Sequence, residues 1–197
     1  MKRKKIIALI LLLTLSLTFF LFKDIAPKAY NHFRPLLLDG GGESCIKELE
    51  GIGVSFKSLG DKGSSECPIK NAVRISKFKS TTISSPFILS CPTANKVAIW
   101  LERSKIKYIK HNGTVNCRKM RGWGIQSEHS YGLAIDITKI DDAVVKDDWV
   151  NFQGKGKRLK SASKIACDYF SNVLTPDTNR LHHDHFHLDD GLGMGCR

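Results

Sequence analysis

No Cys-x-x-Cys pair occurs anywhere in the 197 residues, although the chain holds six cysteines. That absence excludes a zinc ribbon and a thioredoxin-type redox motif. Acidic residues are also scarce, with 19 Asp and Glu against 31 Lys and Arg, so the net charge is +12. There is no internal repeat and no low-complexity block. Nor do small residues in an A-x-A-like arrangement mark a signal-peptidase cut around Phe19 to Ala29.

What is present at the N-terminus points to a membrane. Residues 1–5, MKRKK, form a basic end, and residues 6–22 form an uncharged run of Ile, Leu, Phe, Thr, Ser and Ala ending at Lys23. The run is slightly short of the roughly 20 residues that a spanning helix prefers, but within the workable range of about 17–25. With no clear cleavage site, an uncleaved transmembrane anchor is favoured over a cleaved signal helix. Basic residues hold the N-terminal end in the cytoplasm and send the remainder across. The expected location is the inner (cytoplasmic) membrane, single-pass, with the domain in the periplasm or outside the cell; cleavage would make it secreted.

Six dispersed cysteines in an exported chain read as three disulfides. Many pairings are open; the sequential order expects Cys45–Cys67, Cys91–Cys117 and Cys167–Cys196. Without MKRKK, 27 basic residues face 19 acidic ones, a net +8. Such a surface suits a polyanionic neighbour, a cell wall or a phospholipid face. Nucleic acid is excluded as a partner by the export signal and by lysines scattered along the chain. Nothing in the sequence names a protein partner.

Residues 23–42 hold two prolines and end in Gly40 to Gly42, the composition of a linker with little fold of its own. The domain spans residues 43–197. Alternating segments at Gly53 to Lys57, Ala72 to Phe78 and near Ile83 predict strands. From Pro92 the spacing of Ala94, Val97, Ala98 and Leu101 predicts a helix. Asn112-Gly113 predicts a hairpin turn. Gly132 to Ile140 predicts a strand, and Arg158 to Leu174 a helix stopping before Thr175-Pro176. The segment HDHFHLD reads as the last strand. Together these predict an α+β fold with a mainly antiparallel sheet and helices packed on one side.

HHDHFHLDD, His182 to Asp190, packs four of the seven histidines and three acids into one short stretch. Side chains alternate along a strand, so His183, His185, His187 and Asp189 share a face opposite Asp184, Phe186 and Leu188. A buried row of imidazoles without a partner is costly. In SEHSYGLAID, His129 and Asp136 converge only if the chain turns at Tyr131-Gly132. An unpaired carboxylate between Ile135 and Ile137 is then expensive, and a cation resolves the cost. His129, Asp136 and His187 with a fourth position open suit Zn²⁺ in a catalytic site, and His185 is placed to move a proton.

These residues carry a resemblance. Ser127, His129, Gly132, Ala134 and Asp136 fill the pattern S-x-H-x-x-G-x-A-x-D, followed by H-x-H at His185 and His187, and the pair is similar to the zinc D-alanyl-D-alanine peptidases of the hedgehog/DD-peptidase fold. The chain resembles the extensin-like C-terminal domain family more closely. The shared features are Cys91-Pro92 with Trp100, NCR at Asn116 to Arg118, SEH with AID, CDYFSNVLTP, DHFHLD and the final CR, over roughly Cys45 to Arg197. The resemblance implies zinc ligands at His129, Asp136 and His187, a catalytic base at His185, and Arg118 as anchor for a carboxylate or oxyanion. Many of those peptidases use a glutamate as base where His185 stands here.

Ser127, His183 and Asp189 are candidates for orienting ligands or touching substrate. His32, His111 and His182 read as structural. Glu128 ranks below His185 as a base, because alternation aims it away from the metal. Trp100 and Trp149 read as core or rim, and Trp123 lies in a Gly-flanked loop. The implied function is a membrane-tethered zinc hydrolase that cuts an amide bond in cell-wall peptidoglycan; the alternative is a non-catalytic zinc-containing wall-binding module of the same fold.

Overall fold

Among the described residues, two β-sheets and five α-helices, one of them the single turn α4 (Val145–Asp148), form an α+β arrangement. The computed structural model describes residues 14, 16, 18, 22, 23, 25–193, 195 and 196. The basic end at residues 1–5 and most of the apolar run at 6–22, expected as a transmembrane or signal helix, lie outside them. Among the described residues, no helix is long and apolar enough to cross a membrane.

Strands β1 (Ser55–Gly63), β2 (Pro68–Lys77) and β4 (Phe87–Ser90) form an antiparallel three-stranded sheet in the order β1-β2-β4. The second sheet has the order β10 (Gly195–Cys196), β8 (Asn172–Leu174), β9 (Phe186–Asp189), β6 (Ala134–Ile140), β5 (Tyr108–Gly113), β3 (Thr82–Ile83), with β7 (Ala143–Val144) paired to β6. Its pairs are antiparallel except the short edge pairings β10 with β8 and β3 with β5.

The β6–β9 register decides where the site lies. Ile135 faces Leu188, Ile137 faces Phe186, Asp136 faces His187 and Ala134 faces Asp189. Ile135, Ile137, Phe186 and Leu188 share one face and are fully buried. They join Trp100 and Leu101 of helix α3 (Cys91–Arg103) and Leu159 and Ala162 of helix α5 (Gly154–Ala166) in one core. The Trp100 indole N–H donates to the Ala162 carbonyl at 2.9 Å, tying the two helices together. Slipping the pair by one residue would expose these four side chains, at roughly 1.5–3 kcal/mol each, and bury Asp136 and His187 instead.

Helix α3 forms where the apolar spacing predicts it, with Pro92 in its first turn. Elsewhere the sequence expectations need correction. Asn112-Gly113 is no hairpin turn: it ends β5, whose partners come from distant segments, and the register shifts around His111 and Gly113 make it a bulge. The predicted helix from Arg158 to Leu174 begins earlier, at Gly154, and stops at Ala166. Its tail becomes β8, because Val173 pairs with Leu188. The strand expected over HDHFHLD begins only at Phe186, and His183 to His185 lie in the preceding turn.

Two of the three expected disulfides also differ. The structure joins Cys45 to Cys91, Cys67 to Cys117 and Cys167 to Cys196. Helix α2 (Gly42–Gly51) packs beside α3, so Cys45 meets Cys91 at the first turn of α3 and not Cys67. Cys117 therefore pairs with Cys67, at the start of β2, and not with Cys91. Only the last pair coincides with the sequential order.

The expected linker is structured as well. Residues 25–33 form helix α1, and Arg34–Leu37 a 3-10 turn, in which Arg34 is buried. The Asn71 amide donates to the carbonyls of Gly40 and Gly42, pinning the glycine run to the domain.

Candidate metal centre

The turn that brings His129 back to β6 is built from its own residues. Glu128–Tyr131 form a 3-10 turn preceded by Ser127 and closed by Gly132 at φ +66°. That left-handed conformation suits glycine. A Cβ on Gly132 would stand 2.8 Å from the Ile69 side chain and 3.1 Å from the Ser90 nitrogen, so the position is closed to larger residues twice over. The Gly132 carbonyl accepts from the Ser90 N–H at 2.9 Å, and β6 then starts at Ala134.

His129, Asp136 and His187 converge. His129 Nε2 lies 3.2 Å from His187 Nδ1 and 3.2 Å from Asp136 Oδ2, while His187 Nδ1 lies 2.9 Å from Asp136 Oδ1. The opposite ring nitrogens have fixed partners. His129 Nδ1–H donates to the Thr114 carbonyl at 3.0 Å, since a carbonyl only accepts. His187 Nε2–H donates to Asp189 Oδ2 at 2.8 Å. These outer bonds turn the remaining nitrogen of each neutral ring inward as a lone pair. Two imidazole lone pairs and a carboxylate at such separations repel one another unless a proton or a cation lies between them. With metal–ligand bonds near 2 Å, the edge of a tetrahedral site is about 3.3 Å. The donor set fits a divalent metal in spacing, chemistry and the support behind its ligands.

Electrostatics follow the same arrangement. Burial alone would raise the Asp136 carboxyl, but hydrogen bonds from His129 and His187 outweigh it and hold the group well below the usual carboxylate range. Burial alone would lower the His187 imidazolium, but bonding to Asp136 and Asp189 raises it to about 9. Without a metal, a proton on His187 therefore fills part of the cation's role. Burial also opposes the ionisation of Asp189, and its bonds to His187, Asn172 and Gly191 prevail and lower it.

The other predicted residues are distributed unevenly. His185 Nε2 stands 3.6 Å from Asp136 Oδ1, with Nδ1–H donating to Asp184 Oδ1 at 2.7 Å. That leaves Nε2 facing the centre as an acceptor. Asp189 holds His187 directly. His183 is exposed and turns back to the Arg180 carbonyl, away from the ligands. Ser127 joins through its backbone, its N–H donating to the Arg118 carbonyl. Arg118 is fixed by main-chain bonds with Ser130, but its guanidinium is exposed and contacts the Lys119 carbonyl, not the His/Asp cluster. Glu128 points away from the cluster into a buried pair with Arg34.

Three participants are additions to the sequence reading. Asp184 anchors His185, although strand alternation places it on the opposite face. The Thr114 carbonyl carries no side-chain signal. His182, read as structural, has its ring 5.2 Å from that of His185 and 5.6 Å from that of His187. Burial, and then the neighbouring His187 and His185, push it down to about 4, so it sits at the cluster neutral.

The fold and this centre define an α+β domain whose β6–β9 face carries a candidate His/Asp/His metal site. Residues 43–197 match the family model described as "Extensin-like protein C-terminus", and the chain belongs to that family. No curated protein and no solved structure matches the chain.

Proposed function

We propose that this protein is a zinc-dependent amide hydrolase of the bacterial envelope, acting on peptidoglycan peptides and tethered to the membrane by residues 6–22. The observation that carries the reading is the convergence of three inward-facing donors with a separately oriented imidazole, His185, beside them. The likeness of the S-x-H-x-x-G-x-A-x-D and H-x-H patterns to the zinc D-alanyl-D-alanine peptidases supports both the fold relationship and the reaction class.

His129, Asp136 and His187 would hold the ion, and Asp189 and the Thr114 carbonyl would keep the two rings in the right tautomer. The chemistry that zinc supplies when bound is polarisation of a carbonyl and acidification of water. His185 takes a proton at Nε2 and returns it to the leaving amine, while Asp184 holds Nδ1–H and stabilises the imidazolium that forms. Arg118, exposed in the segment that leads to His129, would meet a substrate carboxylate with its planar fork. A basic surface favours approach to an anionic wall polymer.

The test is digestion of purified muropeptides by the full chain and by His185→Ala, with zinc content followed in both. Cleavage by the wild type that is lost in a variant retaining its zinc supports hydrolysis. Zinc retention with wall binding and no cleavage in either protein would replace the hydrolase with a metal-containing binding module.

A further inference from the structure

The family match begins at residue 43, yet three side chains from before it insert into the domain. Arg34 is buried, and its guanidinium forks onto the Glu128 carboxylate through Nη2 at 2.8 Å and Nε at 3.2 Å. The Tyr30 hydroxyl donates to the same carboxylate at 2.8 Å. Asn31 bonds to main chain in both directions, donating to the Gly124 carbonyl at 2.9 Å and accepting from the Gln126 N–H at 2.7 Å.

The placement of these bonds matters more than their number. Glu128 precedes His129, one of the three candidate ligands. Arg34 Nη2 also reaches the Asp190 carbonyl at 3.5 Å, and Asp190 follows Asp189, the group that orients His187. One guanidinium thus bridges the two chain segments that carry the site. The two segments also touch directly: a Cβ on Gly191 would lie 2.6 Å from Glu128 Cγ, so the Glu128 side chain passes directly over that glycine.

We propose that residues 25–37 form a strap whose Arg34 is a positioning residue, setting the distance between His129 and His187 and hence the affinity of the metal centre. This rests on the metal-site reading above. A fork of two hydrogen bonds fixes direction as well as distance, which a point charge does not. Groups that orient ligands from outside change metal affinity by about ten- to a hundredfold when removed.

The experiment measures the zinc Kd by chelator competition on the full chain in detergent micelles, with melting temperature recorded in parallel. The proteins are the wild type, Arg34→Ala, Arg34→Lys, and the double variant Arg34→Gln with Glu128→Gln. The double variant carries no unpaired buried charge and decides the question if Arg34→Ala does not fold. The strap predicts a Kd weakened at least about tenfold in the double variant and a partial recovery in Arg34→Lys. Folded variants that melt earlier but keep the wild-type Kd would reduce the strap to a stability device and overturn the proposal. A wild type that binds no zinc would end the metal-site reading and the strap together, so the two failures are distinguishable.

Discussion

His187 Nε2 lies 2.8 Å from Asp189 Oδ2, and that hydrogen bond decides which ring nitrogen faces the centre. Asp189 is itself held, accepting from the Asn172 amide and the Gly191 N–H at 2.7 Å each. Asp189→Asn keeps the shape but removes the charge that supports the imidazole. The expected outcome is metal binding weaker by about ten- to a hundredfold with the fold intact. Chelator competition measures it, and unchanged affinity would remove Asp189 from the site.

The pH dependence of the metal-free protein has a definite sign. His187 is raised to about 9 from an ordinary 6.5, so the folded chain holds this proton more tightly than the unfolded chain. The stabilisation is complete below pH 6.5 and is lost as the pH rises through about 9. With chelator present, Tm therefore falls across that window. Saturating metal replaces the proton and removes the fall. Scanning calorimetry in chelator and in zinc compares the two, and a flat profile in chelator would contradict the charge balance drawn for the cluster.

Peptide mapping without reduction should recover Cys45 linked to Cys91 and Cys67 linked to Cys117. Recovery of Cys45 with Cys67 would show that α2 does not pack against α3 as described. The Cys45–Cys91 bond closes a sequence separation of 46 residues. By chain entropy, replacing both residues with alanine costs about 4 kcal/mol, read from denaturant melts.

Trp100 is fully buried, and its indole is satisfied by Ala162 of α5. Trp100→Ala should cost about 3–5 kcal/mol, because it leaves a large cavity and an unpaired carbonyl. A loss under about 1 kcal/mol would mean that the core collapses around the gap, against the close packing of native interiors.

Much of the centre was legible because its chemistry is local. The turn at Tyr131-Gly132 follows from the odd spacing of His129 and Asp136, and the inward faces of β6 and β9 follow from alternation around Ile135, Ile137, Phe186 and Leu188. What escaped the sequence depends on distant partners. Asn112-Gly113 has strong turn chemistry, but the partners of β5 are β3 and β6, so tertiary pairing prevails over local preference. The cysteine pairs depend on which helices pack together, which spacing does not encode. The strap reads as a linker in sequence because its insertion rests on a few polar residues, Tyr30, Asn31 and Arg34, and not on an apolar stripe. Strand alternation places Asp184 on the opposite face, but the chain is still turning at that residue.

Elemental analysis of the purified, oxidised full chain, beside a His187→Ala variant, decides whether His129, Asp136 and His187 hold a metal. About one zinc per chain is expected in the wild type, the ion completing a site of three protein ligands, with loss of that zinc in the folded variant. A folded wild type with no metal, and none acquired on incubation with zinc, would contradict that assignment.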